Sequence, residues 1–529
     1  MRPLVETIIG LTIAVTLVRT LATEGYMIST GSMAPTLLGY HRAVECPDCG
    51  LAFERGSVPA RLRSSRAAID DPVADAASDA RGDDVLCPHC QRLFRAEGVR
   101  TEGDQLLVHK QAFAVRDPRR WEVIVFRSPD DPAEAYIKRT AGLPGETIRI
   151  DRGDVIADGR LCRKDAATQD AMKLPVALVN ESRDRDDDAF SVASRWRLGR
   201  GWTATGPAGA VAFEHDGPDS AVRYRHRVRF GEHLTRVRID WPDDRPPEAK
   251  RLRYQRDAGG GGSLVCRGVL PADVRDRLLT RSDDPAFAAA INTLHEQSQL
   301  APITDVCGYN QPRGGAAVVR DLLAEGQATL DPEATLSVRL LYGRQPFAMT
   351  LARDRLTLAT LGDDGRAVPL GQAALSDQAT RRWSLSVVDR QVLVTLDGQP
   401  VLDPVPFGET ELTAATTRSP LTITATGRVR LTDLGLWRDV YVTPPPGESP
   451  LAGSDPADSH GLTLGPDDFL VLGDNSPVSV DSRRWSQPTV PRSSLIGKPL
   501  VVHLPSRQVE VPVAGPVRVP AWDRVRVVR

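Results

Sequence analysis

From about residue 190 to residue 438 the sequence is written with a period of two. Segments such as RVRIDW, ATLSVRLLYG, FAMTLARDRLTLATL, WSLSVVDRQVLVTLDGQPV and PLTITATGRVRLTDLGLW alternate apolar and polar residues between Gly and Asp turns. Successive side chains of a strand point to opposite faces, so such segments bury one face and form sheets. Many short alternating strands joined by tight turns predict a β-sandwich. Residues 271–295 are the exception and contain plausible helical turns. The chain of 529 residues is too long for one hydrophobic core, so two or more domains are expected. The 43 Gly and 41 Pro, against 5% aromatic residues, fit a turn-rich, mainly β chain.

Charge excludes one class of partner. A formal net charge of -2 gives no warrant for nucleic-acid binding. The N-terminus departs from the otherwise soluble pattern. Residues 4–22 read LVETIIGLTIAVTLVRTLA, with Glu6 and Arg19 near the two ends. At about 1.5 Å per residue the stretch approaches the roughly 30 Å of a hydrocarbon core. A transmembrane anchor is expected there. The rival readings are a cleaved signal peptide, disfavoured by the missing basic flank and cleavage site, and a buried helix.

Two residues beyond this stretch can carry chemistry. Ser32 lies in GSMAP, and Lys138 lies in AYIKRTAGLPG between Ile137 and the small Ala141 and Gly142. A serine hydroxyl needs a base to accept its proton. None of the nine His stands in a recognisable hydrolase context. A lysine serves as that base when burial favours its neutral form. Taken singly, a Ser after Gly is usually a turn residue and a Lys in an alternating strand is usually solvated. Spacing gives no proof that the two meet.

Three ordered blocks supply a link. ISTGSMAPTL, YIKRTAGLPGE and GDNSPVSVDSRRW resemble, in order, the nucleophile, lysine and supporting blocks of bacterial type I signal peptidases. GDQLLVHK and WEVIVFRSP resemble the strands that precede the lysine block. The resemblance covers a minority of the chain. It implies a Ser–Lys serine endopeptidase on a signal-peptidase-type β catalytic domain. Ser32 would be the nucleophile and Lys138 the general base. The Ser32 backbone N–H and the Thr30 side chain would form the oxyanion hole. Ser479 would hydrogen-bond and orient the lysine, and Asp481 with Arg483 would form a supporting buried pair. Asp474 and Asn475 are expected only to shape the turn. The resemblance further implies exported preproteins as substrates, cut after a small-x-small motif while lying as an added strand, and no cofactor for catalysis. The lipid bilayer is an implied partner and the protein-export machinery a candidate one. The location implied is the bacterial inner membrane, single-pass, with the catalytic domain extracytoplasmic. Met33 and the apolar residues near Ile28 are weaker candidates for lipid contact. The alternatives are a Ser–Lys peptidase with regulatory or other substrates and a non-catalytic binding protein on the same scaffold.

Cys46, Cys49, Cys87 and Cys90 form CPDCG and CPHCQ. Two CxxC knuckles offer four thiolates to a tetrahedral metal, most naturally a structural zinc. Two CxxC disulfides and a metal-free ribbon are the rivals, and His89 is read as a bystander. Cys162, Cys266 and Cys307 lack a ligand pattern, with a Cys266–Cys307 bridge left open. The strand-rich middle resembles a concanavalin-like jelly roll. The expected division is an anchor at 1–24, catalytic segments at 25–42, 100–165 and 456–512, a zinc-ribbon-like insertion at 43–99, a sandwich insertion at 166–455, and a tail at 513–529.

Overall fold

The computed structural model describes residues 22–57, 84–95, 97, 100–129, 132–181, 195–207, 210–242, 250–256, 261–310, 316–362, 365–408, 418–444, 461–511 and 515–528. The anchor expected at residues 4–22 lies, except for Ala22, outside them. Among the described residues no helix is long and apolar enough to cross a membrane.

The catalytic segments come together in one eight-stranded antiparallel sheet. Its main strands are β1 (Thr23–Met27), β2 (Gln105–His109), β3 (Val123–Arg127), β4 (Ala135–Gly142), β5 (Asp468–Leu472) and β6 (Leu495–Val502). They stand in the order β1-β2-β6-β3-β4-β5. The continuous apolar run of β3 follows from burial on both faces. The sheet curls, because residues of β1 and β4 line one cleft although three strands separate them. Its concave side encloses Ile28, Met33, Leu37, Leu106, Val108, Val123, Val125 and Val502. Met33 and Ile28 are therefore core residues of the protein, which corrects the expectation that they touch lipid. Residues 515–528, within the span 513–529 expected as a tail, also join the fold. Gly515–Pro520 pairs with Ser506–Val511, Arg526–Val527 pairs with β6, and Val528 enters the core.

The inserted middle leaves and returns at one place. Thr147 and Ile148 pair with Thr463 and Leu462, so the two ends of the insertion meet in a four-stranded sheet. Between them, a nine-stranded and a seven-stranded sheet bury one shared core that includes Trp196, Phe213, Tyr224, Leu336, Phe347 and Trp383. That is the two-sheet packing the alternation predicts. The joint to the eight-stranded sheet combines buried charge with an apolar cluster in which Trp121, Ala141 and Leu472 meet Leu174 and Val440. Buried Lys164 pairs with Asp389 at 2.6 Å and Asp439 at 2.9 Å, and its ammonium lies 4.7 Å from the centre of the Trp121 ring.

The insertion is not sandwich throughout. Leu234–Arg238, Leu252–Arg256 and Gly262–Arg267 form a three-stranded sheet covered by helices Ala272–Leu279 and Pro285–Ser298. Asp284 caps the second helix by accepting from the Ala286 N–H, with Pro285 in its first turn. The helical turns expected at 271–295 thus belong to a small α/β unit with its own core.

Candidate active site

Ser32 sits in the turn after β1, and Lys138 sits midway along β4. β4 runs from exposed to fully buried, and Lys138 is the residue at which burial becomes complete. Its ammonium nitrogen donates to Ser32 Oγ at 2.6 Å. The lysine is only 4% exposed and lies 5.6 Å from the centre of the Tyr136 ring. The pair lies in a cleft of about 260 Å³ lined by Ile28, Thr30, Ile137 and Val480 among others. Thr30 therefore faces the same space as Ser32. In chemical terms the arrangement puts a hydroxyl within hydrogen-bond reach of an amine in a largely apolar cleft, the geometry required of a nucleophile and its base.

The GDNSPVSVDSRRW segment packs directly behind this pair. Asn475 N donates to Ser32 O at 3.0 Å, and Asn475 Nδ2 donates to Gly31 O at 2.9 Å. Asp474 accepts two hydrogen bonds, at 2.8 and 2.7 Å, from the buried Arg139 guanidinium, next in sequence to Lys138. Asp474 and Asn475 therefore do more than shape a turn; each ties this segment to one member of the pair or its neighbour. Gly473 is needed for the approach, because a Cβ there would lie 2.2 Å from Ser479 Oγ and 2.4 Å from Ser32 O.

Asp481 and Arg483 form a buried pair at 2.7 Å. Asp481 also accepts from Gly473 N at 2.9 Å. Burial alone would raise the Asp481 carboxyl, but the Arg483 charge and hydrogen bonds outweigh it and hold it below the usual carboxylate range. Arg483 reaches further, to Thr443 Oγ1 at 2.6 Å and Ser476 Oγ at 2.7 Å. Ser479 differs from expectation. It is fully buried beside Asp481, and its hydroxyl makes no hydrogen bond to Lys138. Its Oγ lies instead over the Cα of Gly473.

The four cysteines meet as two matching knuckles. Each follows a hairpin strand, and in each a residue of positive φ closes the turn, Gly50 at 70° and Gln91 at 55°. Cys46 Sγ lies 3.5 Å from Cys90 Sγ, and Cys49 Sγ lies 3.6 Å from Cys87 Sγ. All four are free thiols, so neither knuckle closes on its own disulfide, and the two cross-knuckle distances exceed the about 2.05 Å of an S–S bond. They approach the edge of about 3.8 Å that a tetrahedron with Zn–S bonds of about 2.3 Å requires. The donor set fits a structural zinc. His89 is buried, and neither ring nitrogen is hydrogen-bonded to any described residue. Cys266 and Cys307 are both free thiols, so no bridge joins them.

The family described as "Signal peptidase, peptidase S26" matches residues 98–198, a span that includes Lys138 but not Ser32 or Ser479. Signal peptidase I of Pseudomonas aeruginosa is 31% identical over 146 residues, 23% of this chain and 49% of that protein. Probable signal peptidase I-2 of a Synechocystis species is 36% identical over 63 residues, 11% of this chain and 29% of that protein. The chain spans about half or less of the length of these curated relatives. Among solved structures, sheep galectin-11 in complex with glycerol matches 22% of this chain and 91% of that chain, at 14% identity and a TM-score of 0.18. A score that low carries no argument about the fold. Residues 98–198 are thus similar to the peptidase S26 family, and the curated relatives named are signal peptidases I, which supports a peptidase.

Proposed function

We propose that the protein is a membrane-bound endopeptidase that removes signal peptides from exported preproteins after a small-x-small motif. The observation that carries this reading is the 2.6 Å contact between Lys138 Nζ and Ser32 Oγ inside a cleft beside an edge strand. Ser32 attacks the scissile carbonyl, and neutral Lys138 takes the hydroxyl proton. The oxyanion of the tetrahedral intermediate is met by the Ser32 N–H and the Thr30 hydroxyl. The leaving amine departs with a proton from Lys138, leaving an acyl-enzyme on Ser32. Lys138 then draws a proton from the water that releases the product.

The substrate lies extended between β1 and the start of β4, adding a strand to the open edge. Ile28, Leu106, Val125 and Ile137 narrow the cleft and favour small side chains next to the scissile bond. Asp481, Arg483 and Ser479 support the lysine's surroundings. The apolar residues 4–22 anchor the chain in the bacterial inner membrane with the catalytic domain extracytoplasmic. The four cysteines hold a structural zinc, and the sandwich is a concanavalin-like module that recruits substrate or stabilises the fold. Catalysis itself uses no cofactor.

The test is cleavage of a lipid-embedded model preprotein by the wild type, Ser32→Ala and Lys138→Ala. Both variants should be inactive. Full activity in either overturns the mechanism, and cleavage confined to non-secretory substrates overturns the substrate assignment.

A further inference from the structure

The turn at Tyr309 and Asn310 belongs to the large insertion, yet it packs against the loop that carries Ser32. The edge of the Tyr309 ring abuts Gly31, where a Cβ would come within 2.2 Å of it. Its hydroxyl donates to Tyr40 O at 2.8 Å, and its carbonyl accepts from Gly56 N at 3.0 Å. Asn310, 7% exposed, faces Asn475 in a reciprocal amide pair. Asn310 Nδ2 donates to Asn475 Oδ1 at 2.7 Å, and Asn475 Nδ2 donates back to Asn310 Oδ1 at 2.6 Å.

The Asn475 amide is thereby held at both ends, its Nδ2 by Gly31 O and Asn310 Oδ1 and its Oδ1 by Asn310 Nδ2. An asparagine side chain offers two donors on one end and an acceptor on the other, and a rotation of half a turn exchanges them. With Asn310 in place, the Nδ2 end faces Gly31 O and donates to it at 2.9 Å. The reversed amide would set its oxygen against that carbonyl. Gly31 O and the Ser32 N–H belong to one planar peptide group and point in opposite directions. Holding Gly31 O from behind therefore aims the Ser32 N–H forward, where the oxyanion develops. The Asn475 N–H holds the next carbonyl, Ser32 O, at 3.0 Å.

We infer that Asn310 is a positioning residue for the nucleophile: the insertion reaches the site through it, and it sets the Gly31–Ser32 peptide by way of Asn475. The inference rests on the Ser–Lys reading given above. It makes one turn of the insertion, Tyr309–Asn310, part of the support of the nucleophile loop.

The test measures the single-turnover acylation rate and KM of the full-length chain on a preprotein, for the wild type, Asn310→Ala, Asn475→Ala and the double variant. Asn310→Ala should slow acylation about tenfold with KM nearly unchanged, as expected for a small misplacement of reacting groups. Because Asn310 acts through Asn475, the double variant should be no slower than Asn475→Ala alone. Leu336→Ala, which opens a cavity in the sandwich core, controls for a merely structural effect. It should lower the melting temperature and leave acylation by the folded enzyme unchanged. An undiminished rate in Asn310→Ala, losses that multiply in the double variant, or an equal slowing in Leu336→Ala would each overturn the inference. A wild type that cleaves nothing, or an active Ser32→Ala, sinks the underlying Ser–Lys reading instead.

Discussion

Lys138 Nζ and Ser32 Oγ meet at 2.6 Å across 106 residues of sequence, one from the middle of β4 and one from the turn after β1. The curl of the sheet brings them together, and the burial of β4 from Lys138 onward keeps the amine out of bulk water. Groups that act as one unit lose function non-additively. Ser32→Ala and Lys138→Met should each lower kcat by about 10³-fold or more, and the double variant should be no worse than either. Steady-state kinetics on a preprotein checks this.

Gly473 offers a steric test of the same site. An added Cβ would meet Ser479 Oγ and Ser32 O far inside contact distance. Gly473→Ala should push the nucleophile loop out of place and reduce cleavage by about 10²-fold. Gly25→Ala, where the nearest atom lies 4.0 Å away, is the matched control. It should change stability by less than about 0.5 kcal/mol.

How much of this was legible in the sequence depends on the range of the interactions. Local alternation predicted the sandwich, and the two CxxC knuckles predicted a four-sulfur cluster, because both follow from spacings of a few residues. The resemblance named Ser32 and Lys138, but only the folded sheet shows them in contact. Of the small α/β unit, RVRIDW reads as one more sandwich strand and 271–295 as helical turns, and nothing local shows that the two belong together. The other two strands, Leu252–Arg256 and Gly262–Arg267, are short and carry a weaker period-two signal. Asp474 looked like a turn residue because its partner, Arg139, lies 335 positions away. Asn310 carried no signal at all. Its role comes from a turn in the insertion reaching across to Asn475, and no local pattern encodes that. Ser479 is expected to bond Lys138, and its Oγ, packed over Gly473, makes no hydrogen bond to the lysine.

Asp481 is 0% exposed and paired with Arg483. Removing one member leaves the other charged and buried, which costs about 3–5 kcal/mol. Asp481→Ala and Arg483→Ala should each destabilise the protein by about that amount in urea unfolding. The carboxyl is depressed in the folded state. Its contribution is therefore fully present above the unfolded carboxylate pKa of about 3.9 and is lost as pH falls through the lower folded value. The wild type should lose this increment on acidification below about pH 4, and Asp481→Asn should not.

The cysteine cluster makes an analytical prediction. Purified protein should carry one zinc ion per chain by elemental analysis, and Cys87→Ser should carry less and melt earlier. The knuckles touch the insertion, with Arg229 paired to Asp48 at 2.9 Å and Arg229 N donating to Cys90 O at 2.6 Å. Loss of the metal should therefore loosen that contact as well as the ribbon, seen as faster amide exchange at both. Native mass spectrometry showing no metal, with intact stability in the Cys87→Ser variant, would refute a structural zinc.

The joint between the catalytic sheet and the sandwich has a pH dependence of the opposite sign. Burial, and then the charge of Asp389, push the Asp154 carboxyl up to about 6, although Arg390 lies 3.4 Å away and Lys164 is near. Asp439 and Asp321 add further negative charge around it. Where the folded pKa exceeds the unfolded one, the folded state binds the proton more tightly, so stability falls as pH rises between the two values. For Asp154 that window runs from about 4 to about 6, and the loss is at most about 3 kcal/mol. Asp154→Asn removes the penalty while keeping the shape. Its stability should exceed that of the wild type at pH 7 and converge with it near pH 4. Urea unfolding at several pH values reads the difference directly. Curves that stay parallel across the window would mean that Asp154 ionises without penalty, with Arg390 and Lys164 offsetting its burial in full.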